Sequence, residues 1–226
     1  MGSGIGTLTL PLAREAGEVV AIEQDPRIFK ILKERLDDSG LNNVELMNVD
    51  ALSIDFPYFN KIVSNLPYQI SSPITFKFLE YDFDYAILMY QKEFAQRMNA
   101  QVGSKNYSRL SVMLYFKAKI KTIDYLPPQA FIPPPKVESS VVKLVPSKNN
   151  DIDEFFVSVC RALFQHRRKK AKKALRESFH EIKNIGKDQM KELLNELNKD
   201  IGDERVFKLP PEQILYISNF LKKNFD

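Results

Sequence analysis

Hydrophobic and polar positions change period several times along the first two thirds of the chain. Ile28, Ile31, Leu32 and Leu36 recur at helical spacing and predict a helix from about Pro26 to Ser39. On either side lie VVAIE (19–23) and VELMN (44–48), which read as strands. KIVSN (61–65) and YAILMY (85–90) read the same way. Helices are expected at 7–16, 72–80, 93–100 and 109–116. Two further strands, KIKTIDYL (119–126) and VESSVVKLV (137–145), are separated by a proline-rich loop. Strands alternating with helices predict an α/β domain with a mostly parallel sheet covered on both faces. The polar stretch PSKNND (146–151) reads as a linker. After it come only helical patterns, at 153–165, 169–182, 187–199 and 209–223, the last opening on prolines, where a missing N–H costs least. The expected organisation is an α/β domain over residues 1–147 followed by a small helical domain over 148–226.

Composition narrows the classes. The chain has 226 residues, 44% hydrophobic and 27% charged, enough apolar material for one sizeable core and a second small one. No run is long and apolar enough to span a bilayer, and no secretory signal pattern opens the chain. The single cysteine, Cys160, excludes an internal disulfide framework and lies among Phe156, Leu163 and Phe164 at helical spacing, as a buried thiol would. With only His166 and His180 beside it, no zinc set can be assembled. A metal-free, cytoplasmic monomer is expected. The net charge of +4 is mild, but Arg167–Arg176 reads RRKKAKKALR, with seven Lys or Arg and no acid. A solvated helix face can look like this, and so can a patch that meets phosphate backbones.

Candidate chemistry begins at GSGIGTLT (2–9). Glycines at 2, 4 and 6 before a helix suit a loop whose backbone approaches a ligand. Such a stretch also resembles a flexible tail. Glu23 favours the loop: it ends the next strand, where a carboxylate can accept both ribose hydroxyls of a nucleoside cofactor. A loop of this kind ordinarily follows a buried strand, and only Met1 precedes it here. The expectation is therefore a fragment whose sheet lacks its first strand.

NLPY (65–68) directly follows the strand KIVSN, and ligands in open α/β sheets bind beyond the carboxyl ends of strands. Glu23, Asp50 and Asn65 all fall at such ends. The fit is to methylation of an exocyclic amine, whose lone pair is delocalised into the ring. Acceptors on both N–H groups, the Asn65 side-chain oxygen and the Leu66 carbonyl, would localise it. Pro67 would stiffen the turn and Tyr68 could stack on the base, with Phe131 closing the other face; a loop anchor is the competing reading of Phe131. Catalysis would be mainly positioning, and the base must leave its stack or come from an exposed loop.

These motifs together resemble the KsgA-type ribosomal RNA adenine dimethyltransferases, in particular their archaeal and eukaryotic branch, over essentially the whole chain. GSGIGTLT resembles the first cofactor motif, implying roles for Gly2 and Gly4. AIEQDPR resembles the ribose-binding segment, with Glu23. NVDAL resembles the adenine-contacting segment, with Asp50 and Ala51. NLPYQISSPI resembles the catalytic motif, with Asn65 also near the cofactor, and AFIPPPKVESSVVKL the substrate-side loop and closing strand. LFQHRRKKAKKAL and LPPEQILYIS are similar to segments of the second domain, implying RNA contacts by Arg167, Arg168, Lys169 and Lys170. The resemblance implies a Rossmann-like sheet, S-adenosylmethionine as cofactor, and dimethylation at N6 of two adjacent adenines in a 3′-terminal hairpin of small-subunit ribosomal RNA, on an assembling subunit. The family's N-terminal segment is the one departure, and weaker cofactor binding by this chain is expected from it. Competing readings are the related large-subunit enzyme of macrolide resistance, an RNA-binding assembly or mitochondrial-type transcription factor with secondary methylation, and a DNA adenine methyltransferase.

Overall fold

A computed structural model describes residues 1–147, 152–183 and 187–225. The chain divides into two compact units, one of residues 1–95 with 120–146, the other of 96–119 with 147–226.

The first unit alternates as its periodicity predicts: α1 (Thr9–Glu15), β1 (Val19–Ile22), α2 (Pro26–Ser39), β2 (Val44–Met47), β3 (Lys61–Asn65), α3 (Ser71–Phe78) and β4 (Tyr85–Gln91). Then come α4 (Lys92–Met98), α5 (Arg109–Lys117), β5 (Ala118–Leu126) and β6 (Ser139–Pro146), with α4 and β5 straddling the boundaries between units. The ends of α2 are written in its sequence. Asp25 caps it by accepting the Arg27 N–H, Pro26 opens it, and Gly40 closes it at φ +68°.

The sheet differs from the expected one in two respects. First, it lies in two pieces: β1 pairs in parallel with β2, and a separate sheet has the order β3–β4–β6–β5. Among the described residues no strand covers the free edge of β1 or of β3. Residues 1–3 run past the carboxyl ends of both, where the Ser3 N–H donates to the Ile22 carbonyl at 3.1 Å and the Ser64 hydroxyl to the Met1 carbonyl at 2.7 Å. Second, β3 and β4 are parallel, but β6 runs antiparallel to β4, Gln91 opposite Ser139 through Ala86 opposite Leu144. Both strands alternate buried and half-buried positions, and an alternation reads the same in either direction, so periodicity carries no sign of this reversal. The core of the unit is built on Leu32, Ile74, Phe78, Ala86, Leu88, Val142 and Leu144, all fully buried.

The second unit is helical: α5, α6 (Glu154–Gln165), α7 (Ala171–Ser178), α8 (Lys187–Glu196), the single turn α9 (Lys199–Gly202) and α10 (Pro211–Lys223). Phe156, Val159, Cys160, Leu163, Leu175, Ile214, Ile217 and Leu221 form its core. The expected helix over 187–199 breaks where Asn198 caps α9, and that over 169–182 becomes α7 followed by a 3₁₀ turn at 179–181.

The domain boundary drawn from the sequence needs one correction. Residues 148–151 of the expected linker lie outside the described residues, but 96–119, read as part of the first domain, belong to the second unit. Side chains explain why. The Tyr107 hydroxyl, buried, donates to the Leu209 carbonyl at 2.8 Å, and Phe116 meets Phe156 edge-on at 5.4 Å.

Candidate active site

Three strands of the first unit end at one edge, and the candidate residues follow them. After β1, Glu23 is almost buried. Its carboxylate accepts the Gly4 N–H at 2.8 Å on Oε2 and the Asp25 N–H at 3.0 Å on Oε1. Each carboxylate oxygen has a second lone pair, so acceptor capacity remains. A surface cleft is lined by Glu23, Gln24, Asp25, Pro26 and Arg27. Arg27 forks onto Asp25 and holds its carboxyl down at about 2.

The glycine loop lies directly against this carboxylate. Gly2 and Gly4 sit at φ +57° and +55°, a region that L side chains avoid. A Cβ on Gly2 would stand 3.2 Å from Pro67 Cδ, so the glycine loop and the NLPY turn are in close approach.

After β2, Asn48 donates through Nδ2 to the Glu23 and Gln24 carbonyls at 2.8 and 3.1 Å, tying the ends of β1 and β2 together. Asp50 then forms a tight turn, its Oδ1 accepting the Leu52 N–H at 2.9 Å, with Ala51 buried beside it. After β3, Asn65 is exposed, and its side chain makes no hydrogen bond among the described residues. Leu66 is 2% exposed and anchors the turn into the core, while Pro67 leads into a 3₁₀ turn at Tyr68–Ile70. Half-buried Tyr68 shares a hydrogen bond of 2.9 Å with the hydroxyl of Ser139, the first residue of β6. Behind the turn, Thr75 bonds the Ser71 carbonyl and the Tyr90 hydroxyl, both at 2.6 Å; burial pushes the Tyr90 phenol far up.

Phe131 is half-buried in the loop between β5 and β6, where its N–H donates to the Pro128 carbonyl at 3.2 Å. The loop's far end is fixed by Lys92, whose N–H donates to the Glu138 carbonyl at 2.9 Å and whose ammonium pairs with the Glu138 carboxylate at 2.7 Å. Gly2, Gly4, Glu23, Asp50, Ala51 and the Asn65–Tyr68 turn therefore all belong to the carboxyl ends of three strands or to the loop against them. Ser3, Asn48 and Ser139 were not singled out in the sequence. Ser3 lies within GSGIGTLT, Asn48 within NVDAL and Ser139 within AFIPPPKVESSVVKL, but nothing in its type or spacing marks any of them off from its neighbours.

The basic run of the second unit is less uniform than its sequence. Arg167 is used internally: its guanidinium donates to the Ser104 and Lys105 carbonyls at 3.1 Å each and lies 5.7 Å from the Phe207 ring. Lys169 pairs with Glu177, holding that carboxyl below its ordinary range, and Lys170 reaches Asp203 at 3.4 Å. Arg168, Lys173 and Arg176 are exposed and make no hydrogen bond or ion pair among the described residues. Cys160 is fully buried and burial pushes its thiol far up. No group of metal-ligating side chains occurs among the described residues, nor a helix long and apolar enough to cross a membrane.

The fold is that of the Rossmann-like methyltransferases, with its candidate site at the carboxyl edge of the sheet. Residues 1–223 match the model of the family described as ribosomal RNA adenine dimethylase. The chain belongs to that family and is an rRNA adenine dimethyltransferase. It is 54% identical over 224 residues to the probable ribosomal RNA small subunit methyltransferase A of Methanosphaera stadtmanae, covering 99% of this chain and 82% of that protein. A crystal structure of a dimethyladenosine transferase from Plasmodium falciparum superposes with a TM-score of 0.82 at 31% identity, over 99% of this chain and 89% of that one. The 23S rRNA methyltransferase ErmE gives a TM-score of 0.68 at 28% identity, over 98% and 88%.

Proposed function

We propose that this protein dimethylates N6 of two adjacent adenines in a hairpin near the 3′ end of small-subunit ribosomal RNA, using S-adenosylmethionine. The observation that carries this reading is Asn65: an exposed amide with no partner among the described residues, on a turn anchored by buried Leu66 and pressed against the glycine loop.

The residues fit the cofactor. Glu23 retains lone pairs for ribose hydroxyls, Asp50 keeps Oδ2 for an amino group beside buried Ala51, and the positive-φ backbone at Gly2 and Gly4 allows close approach. When bound, S-adenosylmethionine supplies an electrophilic methyl carried on a sulfonium. The protein's own task is to present the amine. In this reading the Asn65 side-chain oxygen, which also borders the cofactor, and the Leu66 carbonyl accept its two N–H groups and return the lone pair to nitrogen. Pro67 limits the turn's freedom, and Tyr68 and Phe131 flank the base. Stacking on each such ring contributes about 1–3 kcal/mol.

Small-subunit RNA is favoured by the close identity to a relative named for that substrate, against the lower identity to the 23S enzyme. Phosphate contacts fall to the second unit's basic run. Within Arg167–Lys170, Arg168 makes no hydrogen bond or ion pair among the described residues, Lys169 and Lys170 carry ion pairs that RNA could exchange, and Arg167 holds the loop at Ser104 and Lys105.

Losing one acceptor made mainly in the reacting geometry costs roughly 3–4 kcal/mol, by analogy with a lost oxyanion donor. Asn65→Ala should therefore slow single-turnover methyl transfer to unmethylated small subunits by about a hundred- to a thousandfold, with subunit binding within a few-fold of wild type. Transfer near the wild-type rate would remove Asn65 from the mechanism. Methylation of large subunits in place of small ones would favour the ErmE-like substrate.

A further inference from the structure

The Tyr68 hydroxyl has no part in stacking, because every aromatic ring offers a π-face and phenylalanine would serve as well. Yet the hydroxyl makes a specific bond. It reaches 71 residues along the chain to Ser139 Oγ at 2.9 Å, and Ser139 is fully buried. Ser139 has little freedom of its own. As the first residue of β6 it stands opposite Gln91 of β4, and its predecessor Glu138 is held by Lys92 through both backbone and side chain. The loop bearing Phe131 enters the sheet at this point, eight residues after that ring.

We propose that Ser139 is a positioning residue: its hydrogen bond to Tyr68 pins the NLPY turn to the root of the Phe131 loop and so sets the position and spacing of the two aromatic walls around the target adenine. A tyrosine ring turns about two torsions. Fixing its far end removes the swing about the first, while the second, whose axis passes through the hydroxyl oxygen, is left to packing against the ring faces. The same bond reaches the acceptors, because Tyr68 follows Asn65 and Leu66 on one short turn whose other end is set by Leu66 in the core. Amine and base are thereby placed against a single frame made of β3 and β6. Both hydroxyls can donate or accept, so the pin holds with the proton on either oxygen.

The inference rests on Tyr68 stacking on the base, and its test separates the two ideas. Tyr68→Phe, Ser139→Ala, the double variant and Tyr68→Ala are compared in the full chain by single-turnover methyl transfer to unmethylated small subunits and by a binding titration. Tyr68→Phe removes only the hydroxyl, and so reports even if Ser139→Ala folds poorly. Each single loss should slow transfer about three- to tenfold, the worth of one hydrogen bond, with subunit affinity unchanged and the double variant no slower than either single one. Tyr68→Ala should be slower than all of them. Multiplying losses, or weakened binding at an unchanged rate, would overturn the pin. A slow Tyr68→Ala beside a wild-type Tyr68→Phe would refute the pin and leave stacking intact. A wild-type Tyr68→Ala would refute both.

Discussion

Gly6 stands at φ +90°, and a Cβ built there would lie 2.6 Å from Cδ1 of Leu32, which is fully buried in α2. Gly4, two residues earlier at φ +55°, has nothing within 4 Å of the same construction. The pair separates conformational cost from collision. Gly4→Ala should cost about 1–2 kcal/mol, the left-handed penalty alone. Gly6→Ala should exceed it by about 1–3 kcal/mol for overpacking against a core leucine. Urea unfolding of the two variants checks this; equal midpoints would show that Leu32 yields freely. At this scale the sequence was informative where a residue's place in a motif stated its role. Glu23 and Asn65 could be found because each ends a recognisable strand. Arg167 could not be separated from its basic neighbours, because a charge run treats every member alike. Only its placement over Ser104 and Lys105 makes it a clamp, while Arg168 has no such partner among the described residues. Ser139 was equally silent, one serine of two in an apolar strand.

Asp153 caps α6, accepting the Phe156 N–H at 2.8 Å, and also bonds Lys222 near the end of α10 at 2.6 Å. The Lys222 ammonium, then the Phe156 amide, holds its carboxyl below the ordinary 3.8. A carboxyl lowered on folding stabilises the folded state above its unfolded pKa, and that stability is lost as pH falls through the folded value. Asp153→Ala should therefore lower stability by about 1 kcal/mol at neutral pH, as for a lost N-cap. The gap to wild type should shrink below pH 3.8. Thermal unfolding at pH 7 and pH 3 measures both, and a gap that widened in acid would contradict the linkage. Caps and periods of this kind are local, which is why α2 and β3 could be read to the residue. Strand direction is not local. β6 alternates buried and half-buried positions much as β4 does, and its reversal is decided by the path of the 127–138 connection, which no window of sequence encodes.

At the scale of the whole molecule, charge gathers on residues that are free to use it. Arg168 and Lys173 are exposed and unpaired among the described residues. If both meet phosphates, replacing them with neutral residues should reduce the slope of log affinity against log salt by about 1.4–1.8, from roughly 0.7–0.9 per contact. Titrations of small subunits across a salt series read this directly, and an unchanged slope would exclude the pair from the interface. The least legible feature was the membership of 96–119, because helix periodicity says that a face is buried and not which core receives it. That membership bears on how the chain is made. Residues 96–119 emerge from the ribosome well before Phe156 and Leu209, which complete their packing. At about 5–20 residues added per second, Tyr107 waits through the 102 residues to Leu209 and Phe116 through the 40 to Phe156. The interval spans several seconds during which an apolar helix is available to holding chaperones. The second unit begins its biosynthesis before the first is finished.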